Sequence, residues 1–328
     1  MKIERVEYRG WPEAYRCTVG PVELVVVTAI GPRILSLRLD GGANVLFEDE
    51  TDFGVGAWRL YGGHRFATAP ESAATYSPDN TPCDARVSNG RLLITPPPDA
   101  SDLQRTWTIG PDGPTPGFEI VHALTNRGRG AWHGAPWACT CVKPDGQVLI
   151  PRPAPNHRQR GGLDPLNPFA SEIGTPVGQV NLVTDPEGAR YWTMTGANYA
   201  SPTSPQWGWA ADHFVIRPPL AKGKVGLLSP EGCLALVRPD LTFLIRAADV
   251  EPRRNYPHGG CNVEVFTSAR YVELETLGPL TTLEPGQRLV HRELWQLVPP
   301  TSTSSECAGC EPRAVSASGP LRIPPPGP

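Results

Sequence analysis

The chain has 328 residues, of which 39% are apolar and 19% charged, and its formal net charge is −3. A chain of this length buries a substantial core, as one large domain or two modest ones. The near-neutral balance gives no electrostatic basis for binding nucleic acid or an anionic membrane, and no apolar run approaches the roughly 20 residues of a membrane helix. The opening, MKIERVEYRGWPEAYRC, has no apolar core of a signal peptide. The eight cysteines are scattered rather than spaced as a disulfide framework. A reducing cytoplasm is the expected compartment. Only Lys2, Lys143, Lys222 and Lys224 are lysines, so nearly all the basic charge is arginine. Arginine suits planar recognition of carboxylates and hydroxyl pairs, though composition bias explains it equally well.

In chain order, short runs rich in Val, Ile, Leu and Thr occur at 22–28 (VELVVVT), 33–39 (RILSLRL), 92–95, 118–124 (FEIVHAL), 224–228, 233–237 and 241–245. Turn signals separate them: Asp40-Gly41-Gly42, Asn89-Gly90, Asp112-Gly113, Asp145-Gly146 and Pro285-Gly286. No convincing helical period interrupts the series. Many short strands with regular turns predict an all-β sandwich or barrel. Residues 151–171 have no strand pattern and read as a long loop over one end of the sheet, of the kind that often covers a site. Residues 300–328 are rich in Ser, Thr, Pro and Gly and read as a disordered tail, which leaves 1–299 as one domain. The tail carries Cys307 and Cys310, a lone thiol pair with no neighbouring histidine.

The segment 262–297 is the most informative. Side chains alternate along a strand, so Tyr271, Glu273 and Glu275 share one face, and Val272, Leu274 and Thr276 the other. One face is greasy and the other carries two acids, as in the lining of a concave site. If 262–266 and 271–277 form a hairpin turning at Ser268-Ala269, Asn262 faces Glu275 and Glu264 faces Glu273. Like charges directly opposite are destabilising, so such a pair needs a cation or a raised pKa. A protonated carboxyl beside an ionised one is an acid and a base together. A solvated strand face is the plain alternative.

Further candidates precede it. Leu60 to Glu71 reads LYGGHRFATAPE, in which two glycines permit a bend or a close ligand approach, followed at once by His64 and Arg65. A neutral imidazole can act as acid or base near pH 7. The alternative is a structural His64, with Arg65 paired to Glu71. Trp137 in APWACT and Trp209 in PQWGWA are each a sugar-stacking platform or a packed core residue. His258, in RRNYPHGG, lies close enough in sequence to reach the same mouth. There is no nucleophile elbow, phosphate loop, dinucleotide fingerprint or zinc-protease motif, and the histidines show no metal-ligand spacing.

These residues resemble the galactose mutarotase-like superfamily, and in particular its DUF4380 branch. The resemblance runs over most of 22–297 and rests on LYGGHRFATAPE, TNRGRGAWHGAPWACT, PQWGWA and VELETLGPLTTLEPGQ. It implies a β-supersandwich of two large antiparallel sheets with a carbohydrate cleft on one concave face. It also implies aldose 1-epimerase-like chemistry, in which a late-strand glutamate takes the anomeric proton while a histidine protonates the ring oxygen. Glu275 matches that glutamate. The family's mid-chain histidine motif falls at APWACT here, which has none, and Tyr61 stands where the early motif has a histidine. The expectation is therefore a sugar- or uronic-acid-active protein with Glu275 as base and His64 as acid. Arg65, Tyr61, Glu71, Trp137, Trp209, Asn262, Glu264 and Glu273 would bind the substrate, with no metal or other cofactor. The alternatives are a binding protein that kept the cleft, or a polysaccharide lyase or hydrolase. The oligomeric state is left open.

Overall fold

The computed structural model describes residues 1–152, 179–184, 189–195, 199–201, 204–210, 212–251 and 254–300. Among them the chain is all β, apart from one 3₁₀ turn at Ala73–Tyr76. Of the loop predicted at 151–171, Pro151 instead ends the strand Gln147–Pro151, and residues 153–171 lie outside the described residues, as do residues 301–328 of the predicted tail. No described helix is long and apolar enough to cross a membrane.

The strands form two antiparallel sheets, of twelve and ten strands. The larger begins with a meander of four strands between Lys2 and Leu39, and then crosses His64–Ala69, Trp132–Val142, Val272–Leu277, Val263–Thr267 and Gly223–Leu227. The smaller is centred on Thr242–Ala247, Arg288–Val298 and Gly117–Asn126. Turn chemistry acts where it was read. Asn89 (φ 50°) and Gly90 (φ 69°) join Asp84–Ser88 to Arg91–Thr95 with Ser88 opposite Arg91. This is the two-residue turn whose twist matches the strands it connects.

The two sheets are held by one core. Leu24, Val225 and Leu274 of the larger sheet pack with Phe118, Phe243 and Trp295 of the smaller, all essentially inaccessible. Each such side chain contributes about 1.5–3 kcal/mol by leaving water. The alternation read at 271–277 is seen directly: Val272 and Leu274 join this core, and Glu273 turns outward.

The hairpin register differs from the expected one. Thr267 pairs with Val272, so the loop has four residues, 268–271, pinned by Ser268 Oγ donating to Tyr271 O at 2.8 Å. Glu264 therefore stands opposite Glu275, and Phe266 opposite Glu273. A two-residue shift preserves each residue's face but changes its partner.

The two glycines before His64 serve backbone packing rather than ligand approach. Gly62 and Gly63 have φ of 84° and 61°. A Cβ on Gly63 would lie 2.0 Å from Ile34 O, and one on Gly62 would lie 2.2 Å from Phe47 O. Gly63→Ala is expected to cost about 2–4 kcal/mol, through the positive φ and the forced shift of neighbouring backbone. Urea denaturation measures it.

Candidate functional site

Outward-facing residues of five adjacent strands meet in rows across the larger sheet. One row is Arg65, Cys139, Glu275, Glu264 and Gly226. The next is Cys141, Glu273, Phe266 and Lys224. Above them lies a cleft of about 230 Å³. Trp58, Tyr76, Trp137, Tyr199 and Tyr271 supply its aromatic wall, and Arg65, Glu71, Lys222, Lys224 and Glu273 its charge.

Glu264 and Glu275 form the directly opposed pair whose repulsion requires a cation. Lys224 supplies it by reaching diagonally from the neighbouring row. Its Nζ lies 2.9 Å from Glu264 Oε2 and donates to Glu275 Oε1 and Oε2 at 3.1 and 3.0 Å. Trp137 Nε1 donates to Glu275 Oε2 at 2.7 Å, and the Lys224 ammonium lies 4.8 Å from the Trp137 ring centre. On the far side, His258 Nδ1 donates to Glu264 Oε1 at 2.6 Å and Cys261 Sγ donates to it at 2.9 Å. His258 Nε2 accepts the backbone N–H of Glu71 at 3.0 Å.

One cation cannot neutralise two carboxylates, and the pair splits accordingly. Burial would raise Glu264, but His258 and Lys224 pressed against it, with the hydrogen bonds from His258 and Cys261, hold it below the usual carboxylate range. Glu275 goes the other way: burial, with the charges of Glu264 and Glu273, pushes it well above that range against the pull of Lys224. Burial also raises Glu273, opposed by Lys224 and Arg65. Burial alone would lower Lys224, but the facing carboxylates outweigh it and keep the ammonium charged. Burial, chiefly, pushes the thiols of Cys139 and Cys141 well above their normal range, so neither is a ready nucleophile.

The candidate residues divide between this site and other places. Arg65, Glu71, Trp137 and Glu273 line the cleft. Arg65 is braced by Nη2 donating to Thr75 O at 3.0 Å and by its guanidinium lying 5.2 Å from the Trp58 ring centre. The Glu71 carboxylate accepts the Tyr76 hydroxyl. Glu264 and Glu275 form the layer beneath, both fully buried.

His64 does not meet Glu275. It shares the strand face of Phe66 and points between the sheets, where Nε2 lies 2.8 Å from His122 Nε2 and Nδ1 lies 2.9 Å from Thr140 Oγ1. Burial holds its pKa well below the normal histidine value. The acid role expected of His64 therefore has no geometry in this cleft. Tyr61 is buried beside Val25, Val27 and Leu35, with its hydroxyl donating to Gly54 O at 2.5 Å. Trp209 lies in the smaller sheet, its ring 5.1 Å from Phe214. Asn262 is a strand tie, bonded to both backbone groups of Ser229 at 2.7 Å. None of these three is among the cleft-lining residues.

Lys224 is the residue that sequence reasoning missed. Its signal was present: it is one of four lysines in an arginine-rich chain, and it stands inside the strand GKVGL. Trp58, Tyr76 and Tyr199 lie in connecting segments or isolated turns with no pattern to mark them.

No family model matches the chain, so the expected DUF4380 placement is not shown. No curated protein matches it either. Among solved structures, the chain is similar to a candidate aldose 1-epimerase from Escherichia coli K12, with TM-score 0.56 and 10% identity over 87% of this chain and 99% of that one. It is similar to a galactose mutarotase-like protein from Lactobacillus casei, with TM-score 0.50 and 12% identity over 86% and 99%. A TPR-domain-containing protein from Parabacteroides distasonis matches over 95% of this chain and 51% of its own length, with TM-score 0.54 and 13% identity. The chain thus has the galactose mutarotase-like fold, a sandwich of two large antiparallel sheets.

Proposed function

We propose that the protein binds a pyranose in this cleft and moves protons at its anomeric centre. The observation that carries the reading is that Glu273 and Lys224 open together onto one aromatic-walled cleft on the larger sheet. Aromatic rings suit the apolar C–H faces of a sugar. A carboxyl with a raised pKa beside a fixed ammonium suits proton transfer to and from hydroxyls. Glu273 takes the proton of the anomeric hydroxyl. The bond from C1 to the ring oxygen breaks as Lys224 passes a proton to that oxygen, and a C1 carbonyl forms. Rotation about C1–C2 and reversal of both transfers give the other anomer, with no net change in either side chain. Glu275 and Glu264 act one layer down, holding Lys224 charged and aimed. The fold's occurrence in a candidate aldose 1-epimerase supports the same class of chemistry.

A second reading is binding without chemistry. It is favoured by the absence of histidine from the described cleft lining. Saturation-transfer difference NMR on a panel of hexoses, pentoses and uronic acids tests what the two readings share. Binding of at least one class is expected, and Trp137→Ala should weaken it about tenfold or more, a loss of about 1.4 kcal/mol or greater. No transfer to any sugar in the panel would remove the monosaccharide reading.

A further inference from the structure

The core between the sheets contains a second polar cluster that the proposed chemistry does not use. His64 from the larger sheet meets His122 and Glu293 from adjacent strands of the smaller sheet, and all three are fully buried. His64 Nε2 lies 2.8 Å from His122 Nε2 and 3.8 Å from Glu293 Oε2. One ligand atom from each residue falls within 4.8 Å of the other two. A point equidistant from three atoms so spaced lies roughly 2.0–2.4 Å from each, at or a little beyond the length of a Zn–N or Zn–O bond.

The surroundings hold each ligand in the orientation that a metal requires. His122 Nδ1 faces the His291 carbonyl oxygen at 3.3 Å, and His64 Nδ1 faces Thr140 Oγ1 at 2.9 Å. Both rings therefore turn Nε2 toward the common point, with the other nitrogen anchored. This is the arrangement found around metal-bound imidazoles. Glu293 is held by Thr276 Oγ1 donating to Oε1 at 2.6 Å and Trp295 Nε1 donating to Oε2 at 3.0 Å. The Trp107 and Trp295 rings, centred 5.1 and 4.9 Å from the His64 ring, wall the cluster in apolar surface. Among the described residues no lysine or arginine forms an ion pair with Glu293, and the His64 Nε2 nitrogen lies 3.8 Å from its Oε2. A buried carboxylate wants a counter-charge.

We infer that His64, His122 and Glu293 form a structural divalent-metal site joining the two sheets, with a two-imidazole, one-carboxylate donor set that suits Zn²⁺ or Fe²⁺. The metal enters during folding and ties strands that are distant in sequence. This inference is independent of the cleft chemistry.

The test uses the full chain and its Cys307→Ser/Cys310→Ser form, which removes a thiolate source of metal binding. Each is refolded with one equivalent of Zn²⁺ and dialysed against a weak chelator, and its metal is measured by plasma mass spectrometry. About one equivalent is expected in both. Glu293→Gln and His122→Gln should each retain about a tenth of that or less. Refolding with Co²⁺ gives a readout that no variant's folding can confound. Tetrahedral d–d absorption without a thiolate charge-transfer band is expected from the Cys307→Ser/Cys310→Ser protein. No metal uptake on refolding, full retention in Glu293→Gln, or a thiolate band in that protein would overturn the assignment.

Discussion

Replacing Lys224 with methionine is expected to destabilise the protein by about 3–5 kcal/mol, the usual cost of breaking a buried ionic group by removing one partner. That corresponds to a fall in Tm of roughly 6–20 °C. The loss comes from what remains: Glu264 and Glu275 stand opposite one another, both fully buried, and Lys224 is the cation that both contact. Its pH dependence is distinctive. In the native protein Glu264 is held below its unfolded value. Its contribution is therefore present above the unfolded carboxylate pKa of about 4.3 and is lost as pH falls through the native value. Glu275 is raised, so it favours the folded state at low pH and costs stability as pH climbs above the ordinary range. Without Lys224 both carboxyls shift upward. The deficit of Lys224→Met should be greatest at pH 7–8 and shrink toward pH 5. A deficit independent of pH would show that Lys224 contributes packing rather than charge.

Glu273→Gln is expected to slow anomer exchange by about 10²–10⁴-fold, the span for loss of a positioned general acid–base group. Glutamine keeps the shape of the side chain and its place beside Tyr271 and Lys224, so sugar binding should change little. The wild-type rate should rise with pH along a limb displaced above the normal carboxylate range, because burial raises Glu273. That limb should vanish in Glu273→Gln. Stability should move the other way. Because the raised carboxyl costs stability when ionised, the amide should be neutral or favourable at pH 8. A variant that loses exchange and also unfolds near neutral pH would mark Glu273 as structural.

Much of this was legible in the residues, and the rest failed for identifiable reasons. The VELETL alternation placed Val272 and Leu274 in the core and the glutamates outside it, because a period of two admits only one greasy face. The same rule applied to HRFATA puts His64 on the face of Phe66 and Arg65 on the opposite face. The two glycines drew attention to His64 as a catalytic group, but they answer to the Ile34 and Phe47 carbonyls. The hairpin register was not legible, since Ser268 to Tyr271 closes as readily around two residues as around four until Ser268 Oγ finds its partner. The need for a cation or a raised pKa was read for Glu264 opposite Glu273, whereas the opposed pair is Glu264 and Glu275; Lys224 was not found, because Gly223–Leu227 becomes a neighbour only through the sheet.

The central claim is that Glu273 and Lys224 act on a sugar ring in one cleft. Two-dimensional exchange NMR tests it most directly, with wild type and Glu273→Gln compared on the sugar that binds best. Faster α/β interconversion with wild type, reduced by about 10² or more in Glu273→Gln with binding retained, is the expected result. Binding without acceleration by either protein would contradict the catalytic claim and leave a sugar-binding protein.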